Sequence, residues 1–194
     1  MNSIELLTTK VSTLESLLDG LISRHGEEFA ASASIFSKAL KQGNTIFWCG
    51  NGGSASESSH LAVELIGRFK NNRRPLPSIS LNSDTSAITC IANDFGYDQI
   101  FVRQLRVLAR RGDVLVAISA SGNSQNLLTA VEFAKQNGIQ TTGLTAFDGG
   151  KLRKMVDQCV HVPTGLKEYG PAEDAHMVLD HLVGAYLMRL VNSE

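Results

Sequence analysis

The chain has 194 residues, 18 Lys plus Arg against 19 Asp plus Glu, and 43% hydrophobic residues. That length suits one core, and the hydrophobic fraction excludes an intrinsically disordered chain. A formal net charge of -1 gives no sign of a polyanion binder. The best basic cluster, Lys70-Asn71-Asn72-Arg73-Arg74, is short and lacks interleaved aromatics, so no nucleic-acid partner is expected. No stretch approaches the ~20 uninterrupted apolar residues of a spanning helix. The N-terminus, MNSIELLTTK, lacks an apolar signal core. Cys49, Cys90 and Cys159 form no CxxC pair and read as buried free thiols of a reducing compartment. A cytoplasmic protein without a membrane partner is expected.

Residues 3–42 read as two helices broken near Gly26. Ile4, Leu7, Val11, Leu14, Leu17, Leu18 and Leu21 recur at three- and four-residue steps, and Ile35, Phe36, Ala39 and Leu40 continue the pattern. From Gly43 the texture changes to short apolar runs alternating with helical periods. Strands are predicted at 45–49, 77–81, 114–118, 141–144 and 159–162. Helices are predicted over about 55–69, 84–92, 97–110, 124–136 and 172–191. This alternation implies an α/β fold: a flavodoxin-like, doubly wound, five-stranded parallel sheet with an N-terminal helical arm. The whole of 1–194 reads as one domain, with 1–42 as the arm and 43–194 as the sandwich. Trp48 is expected in the core.

In such sheets ligands sit at the carboxyl ends of the strands, where the chain order reverses. Two loops fall there. The first is Gly50-Asn51-Gly52-Gly53-Ser54-Ala55, whose glycines admit a close ligand and whose following helix offers free amides to an anion. It fits the dinucleotide pattern, but the acidic residue expected about 20 positions on is missing, which argues against a nucleotide. The second is Ser119-Ala120-Ser121-Gly122-Asn123-Ser124, three hydroxyls and a glycine before a helix. It reads as a cradle for a phosphate monoester, because it lacks the lysine of a triphosphate loop. Ser124 alone would also serve as an N-cap.

His60 and Glu64, four apart on a helix, share a face on which they could bind a metal, pair electrostatically or act as acid and base. The final helix carries Glu173, Asp174, His176, Asp180 and His181. Its apolar face uses Ala175, Val178, Leu179, Leu182, Val183, Tyr186, Leu187 and Leu190, so the polar residues are expected on a solvated face. Glu173 and His181 lie about 12 Å apart along an ideal helix, so spacing alone does not bring them to one ion. His161, ending an apolar strand, reads as structural.

CGNGGS, SxSGNS, HLAVELIGRF and IANDFGYD together resemble the phosphoheptose isomerases of the sugar isomerase (SIS) domain family over almost the whole chain. The resemblance implies an aldose–ketose isomerase converting sedoheptulose 7-phosphate to D-glycero-D-manno-heptose 7-phosphate for bacterial surface polysaccharides such as lipopolysaccharide. It implies one zinc per subunit held by His60, Glu64, Glu173 and His181, with Glu64 as base and His181 as acid. Glu173 stands where a Gln is common, and Gly170 where some members carry an acidic residue. Substrate contacts implied by position are Asn51, Gly52, Gly53, Ser54, Arg68, Asn93, Asp94, Ser119, Ala120, Ser121, Ser124 and Glu173. Arg68 also fits a surface helix, and Asp94 an N-cap. Homotetramers with sites between subunits are implied as well. Two alternatives stand beside this reading. One is an isomerase of another phosphosugar. The other is a non-catalytic SIS protein that binds the replication initiator, a relative lacking the carboxylate that matches Glu64.

Overall fold

Asn2 opens the first helix: its side chain accepts from the Glu5 amide, and the Glu5 carboxylate accepts from the Asn2 amide. In the computed structural model, which describes residues 2–67 and 74–192, the helix that follows, α1, spans Ser3–Lys41. It runs unbroken through Gly26, against the expected break. A helical glycine costs about 1 kcal/mol relative to alanine. Apolar side chains on both sides of it, Leu18 and Leu21 before and Phe29 and Phe36 after, dock on the same sheet and outweigh that cost.

Five parallel strands form the sheet: β1 (Ile46–Gly50), β2 (Ser78–Ser80), β3 (Val114–Ser119), β4 (Gln140–Ala146) and β5 (Gln158–Val162), in the order β2-β1-β3-β4-β5. The flavodoxin-like topology expected from sequence is therefore present, and the order reverses between β1 and β3. Every residue of β1 and β3 is buried, as continuous apolar runs require when both faces are covered. On one face Trp48 meets Phe36 edge-on at 5.8 Å, and its indole N–H donates to Ser78 Oγ at 2.8 Å. Here α1 packs with α2 (Gly53–Ile66) and α7 (Tyr169–Asn192). On the other face Phe47 and Leu115 meet Phe101, the residue before α4 (Val102–Leu108), Leu105 within it, and Leu127 and Val131 of α5 (Gln125–Gln136).

The predicted helix over 97–110 is a tight 3₁₀ turn at Tyr97–Gln99 followed by α4. A short α6 (Leu152–Met155), too brief for a periodic signal, went unpredicted. The helix α3 (Thr85–Phe95) has no fully buried residue. Cys49 is buried and Cys159 half-buried, but Cys90 on α3 is exposed, against expectation. No helix among the described residues is long and apolar enough to cross a membrane. Arg68, most of the basic run at 70–74 and the Leu190 side chain lie outside what the structure describes.

Candidate active site

The two glycine- and serine-rich loops face one another across the crevice between β1 and β3. In the first, a Cβ on Gly50 would stand 2.4 Å from the Ser54 carbonyl oxygen, so only glycine permits the turn. Asn51 is held rigidly. It donates to Asn126 Oδ1 at 3.0 Å, and its own Oδ1 accepts from Asn126 Nδ2 and the Tyr97 hydroxyl, both at 2.9 Å. In the second loop, Ser119 Oγ accepts the Gly122 amide at 3.1 Å and lies 3.4 Å from Ser124 Oγ. Ser124 occupies the N-cap position of α5, yet its side chain makes no capping bond. Its hydroxyl is thus not committed to the helix, which favours the cradle reading over the cap.

Asn51, Ser54, Ser119, Ala120, Ser121, Ser124, Tyr169 and Glu173 line a cleft of about 150 Å³ here. None of these residues is basic. Among the described residues, an anion in the cleft meets hydroxyls and helix-end amides, with the Glu173 carboxylate beside them.

Further along the same two helices, His60 and Glu64 of α2 meet His181 of α7. The separations are 3.2 Å from His60 Nε2 to Glu64 Oε1, 3.6 Å from His181 Nε2 to Glu64 Oε1, and 3.2 Å between the two Nε2 atoms. Ligands 2.0–2.1 Å from a tetrahedral zinc stand about 3.3 Å apart, so these three atoms fit one face of such a tetrahedron with a position left open. They are the one group of candidate metal ligands among the described residues. Glu64 is 8% exposed, so its carboxylate sits in the floor of the site with the imidazoles above it.

Glu173 is not brought into this cluster. It sits two turns back along α7, and a Cβ on Gly53 would lie 2.6 Å from its Oε1. Its carboxylate therefore faces the start of α2, beside the serine loop, because a rigid helix keeps it about 12 Å from His181. Asn93 and Asp94 lie on the exposed face of α3, where Asn93 donates to Asp94 at 2.8 Å, and neither reaches the cleft within one chain. Asp94 is not an N-cap. It stands near the end of α3, whose cap is Asp84, accepting the Ala87 amide at 3.0 Å. His161 is structural, as expected: 5% exposed and 3.0 Å from the Thr145 hydroxyl.

Sequence reading missed a buried polar group beneath the site. His176 and Asp180, assigned to a solvated face, are 0% and 2% exposed, and Glu57 on α2 is 2% exposed. Tyr169, Glu173, His176 and Asp180 recur at steps of four, three and four, a helical stripe turned toward α2 and the sheet. That step pattern was the available signal. His176 Nε2 donates to the Thr145 carbonyl at 3.2 Å, and burial pushes its pKa down to about 4, so it is neutral. Glu57 and Asp180 are two buried carboxyls whose charges act on one another. Burial pushes Glu57 up to about 7 and raises Asp180 well above the usual carboxylate range, so the pair retains a proton.

Because the folded value of Glu57 lies above its ordinary 4.5, its contribution to stability is full below about pH 4.5 and is lost as pH rises through about 7. Glu57→Gln removes this dependence. The melting temperature of the variant minus that of wild type should rise by roughly 3–6 °C between pH 5 and pH 8. A flat difference across that range would show that burial does not raise the Glu57 carboxyl.

The SIS domain family model matches residues 11–146. The chain belongs to the SIS domain family. It is 44% identical over 157 residues to the phosphoheptose isomerase of Aliarcobacter butzleri, covering 81% of this chain and 82% of that protein. To the phosphoheptose isomerase of Geobacter sulfurreducens it is 38% identical over 180 residues, covering 93% and 94%. Among solved structures, phosphoheptose isomerase from Neisseria gonorrhoeae superposes with a TM-score of 0.85 at 32% identity, covering 96% of each chain. That from Francisella tularensis gives 0.91 at 28% identity, covering 97% of this chain and all of the other. The fold is thus that of the SIS domain family, as the resemblance implied.

Proposed function

We propose that this SIS protein is an aldose–ketose isomerase converting sedoheptulose 7-phosphate to D-glycero-D-manno-heptose 7-phosphate. One observation carries the reading. An anion cradle that includes Ser54 and Glu173 and a His–Glu–His cluster lie along the same two helices, α2 and α7, with six residues from Ser54 to His60, ~9 Å of helix, between them. That separation suits a sugar chain with a phosphate at one end and a carbonyl at the other. The relatives at 38–45% identity, all phosphoheptose isomerases, support the same substrate.

The reaction moves a proton between neighbouring carbons. Glu64 takes a proton from C1 of the ketose and returns it to C2, passing through an enediolate. His181 gives a proton to the oxygen on C2 and takes up the one that leaves the oxygen on C1 as the aldehyde forms, so it ends as it began. Ser119, Ser121 and Ser124 hold the phosphate, whose binding energy orients the reacting end. His60, Glu64 and His181 would hold one zinc per subunit, and when bound it supplies Lewis-acid stabilisation of the enediolate charge. Glu173 belongs with the substrate end of this scheme, next to the serine loop.

The assembly proposed is a cytoplasmic homotetramer with sites between subunits. Two features support it: the exposed apolar side chains Ile4, Leu7, Val11 and Ile22 of α1, and α3 with exposed Phe95 beside Asn93 and Asp94. Such a patch is unusual on a monomer.

The test is turnover of sedoheptulose 7-phosphate by metal-stripped protein with and without zinc. Zinc-dependent formation of the heptose phosphate is expected, from a particle about four times the 20.9 kDa chain mass in light scattering. Turnover without zinc would remove the metal from the scheme. Absence of turnover in both conditions would favour another phosphosugar or the initiator-binding alternative.

A further inference from the structure

Tyr169 has no role in the scheme above, yet it lines the anion cleft with Ser119, Ser121, Ser124 and Glu173. It is the first residue of α7, one turn before Glu173, so the two side chains leave the same face of the helix. Its ring is 49% exposed and is met edge-on by Phe147 at 5.0 Å and 80°. Phe147 follows β4 with a φ of 56°, a left-handed conformation that is a real outlier for an aromatic residue. It is partly buried against the cluster that contains Ala120 and Ala146, so the core holds the strained backbone in place. The strain thus sets one ring against another at the mouth of the cleft.

We propose that Tyr169 is a substrate-contacting residue whose hydroxyl donates a hydrogen bond to the phosphate. This rests on the phosphosugar reading above. The choice of the phosphate over the reacting carbons follows from distance. Tyr169 precedes His181 by twelve residues on one helix, ~18 Å along its axis, whereas the serine hydroxyls share its cleft. Among the described residues the cleft lining holds no basic side chain, so a phenolic donor adds to a set of serine hydroxyls, the Asn51 amide and backbone amides that stands beside the Glu173 carboxylate. A hydrogen bond to an ionised partner is among the stronger kinds. Phe147 limits the rotamers of Tyr169 and so lowers the entropy lost when the contact forms.

The experiment compares wild type, Tyr169→Phe and Phe147→Leu in steady-state kinetics with sedoheptulose 7-phosphate and in calorimetric binding of inorganic phosphate. Tyr169→Phe keeps the ring and the edge contact, so it should fold as wild type does. Its KM should rise about tenfold with kcat within about twofold, and inorganic phosphate should bind correspondingly more weakly. Phe147→Leu keeps the hydroxyl and loses the edge contact, and its KM should rise by less. An unchanged KM and unchanged phosphate affinity in Tyr169→Phe would overturn the proposal. A fall in kcat at constant KM would also overturn it, by placing the hydroxyl at the reacting end. If wild type does not turn over the sugar, the substrate reading fails separately. The phosphate affinities of wild type and Tyr169→Phe then decide the contact by themselves, equal values overturning it.

Discussion

Glu64→Gln should lower kcat by between about a hundredfold and ten-thousandfold while leaving phosphosugar binding nearly intact. The amide has the size of the carboxylate and fits the same floor position, so the packing of α2 against α7 is retained. It cannot accept a proton from carbon, and it offers a neutral oxygen where an anionic one stands 3.2 and 3.6 Å from the two imidazoles. The serine loop, which holds the other end of the substrate, does not include Glu64. Kinetics and calorimetry on the same preparation separate the two effects. A variant that kept kcat within tenfold of wild type would remove Glu64 as the base. A variant that lost binding as well would mean that the acidic side chain orients the substrate and does not act in catalysis alone.

Gly122→Ala should cost at least about 3 kcal/mol of stability and impair phosphate binding in the same stroke. Gly122 has φ +62, and a Cβ there would fall 2.0 Å from the Gly149 carbonyl oxygen and 2.6 Å from its carbon, both backbone atoms. Its carbonyl also accepts the Leu152 amide at 2.9 Å, so the loop after β3 is tied to the segment leading into α6. An added methyl group has to part these two loops, and Ser119, Ser121 and Ser124 move with them. Gly43→Ala is the control. It has φ +78 with open space around it, so its cost is limited to the left-handed backbone, about 1–2 kcal/mol. Thermal melts should show a drop of about 6–12 °C for Gly122→Ala and a clearly smaller one for Gly43→Ala. Equal drops would mean that the close approach to Gly149 contributes nothing.

Much of this site was legible before folding because local rules sufficed. Glycines before a helix, and hydroxyls after an apolar run, mark strand-end anion loops through backbone freedom and helix polarity alone. The His60–Glu64 spacing places both groups on one face for the same local reason. The break expected at Gly26 failed because a single glycine weakens a helix by less than its flanking apolar residues gain from a common docking surface.

Amino-acid order by itself therefore determined the parallel α/β class, the two loops and two of the three clustered ligands, since periodicity and turn chemistry act over a few residues. Only the tertiary structure decided the rest. It brought His181 to Glu64 across 117 residues of sequence while sending Glu173 to the serine loop. It turned Asp180 and His176 inward against Glu57, where an apolar-face count had put them in water. Which side of α7 is buried depends on the angle at which the helix crosses α2 and the sheet. That angle is set by the packing of Val183, Leu187, Leu61 and Leu65 with the strands, a long-range balance that no local pattern contains.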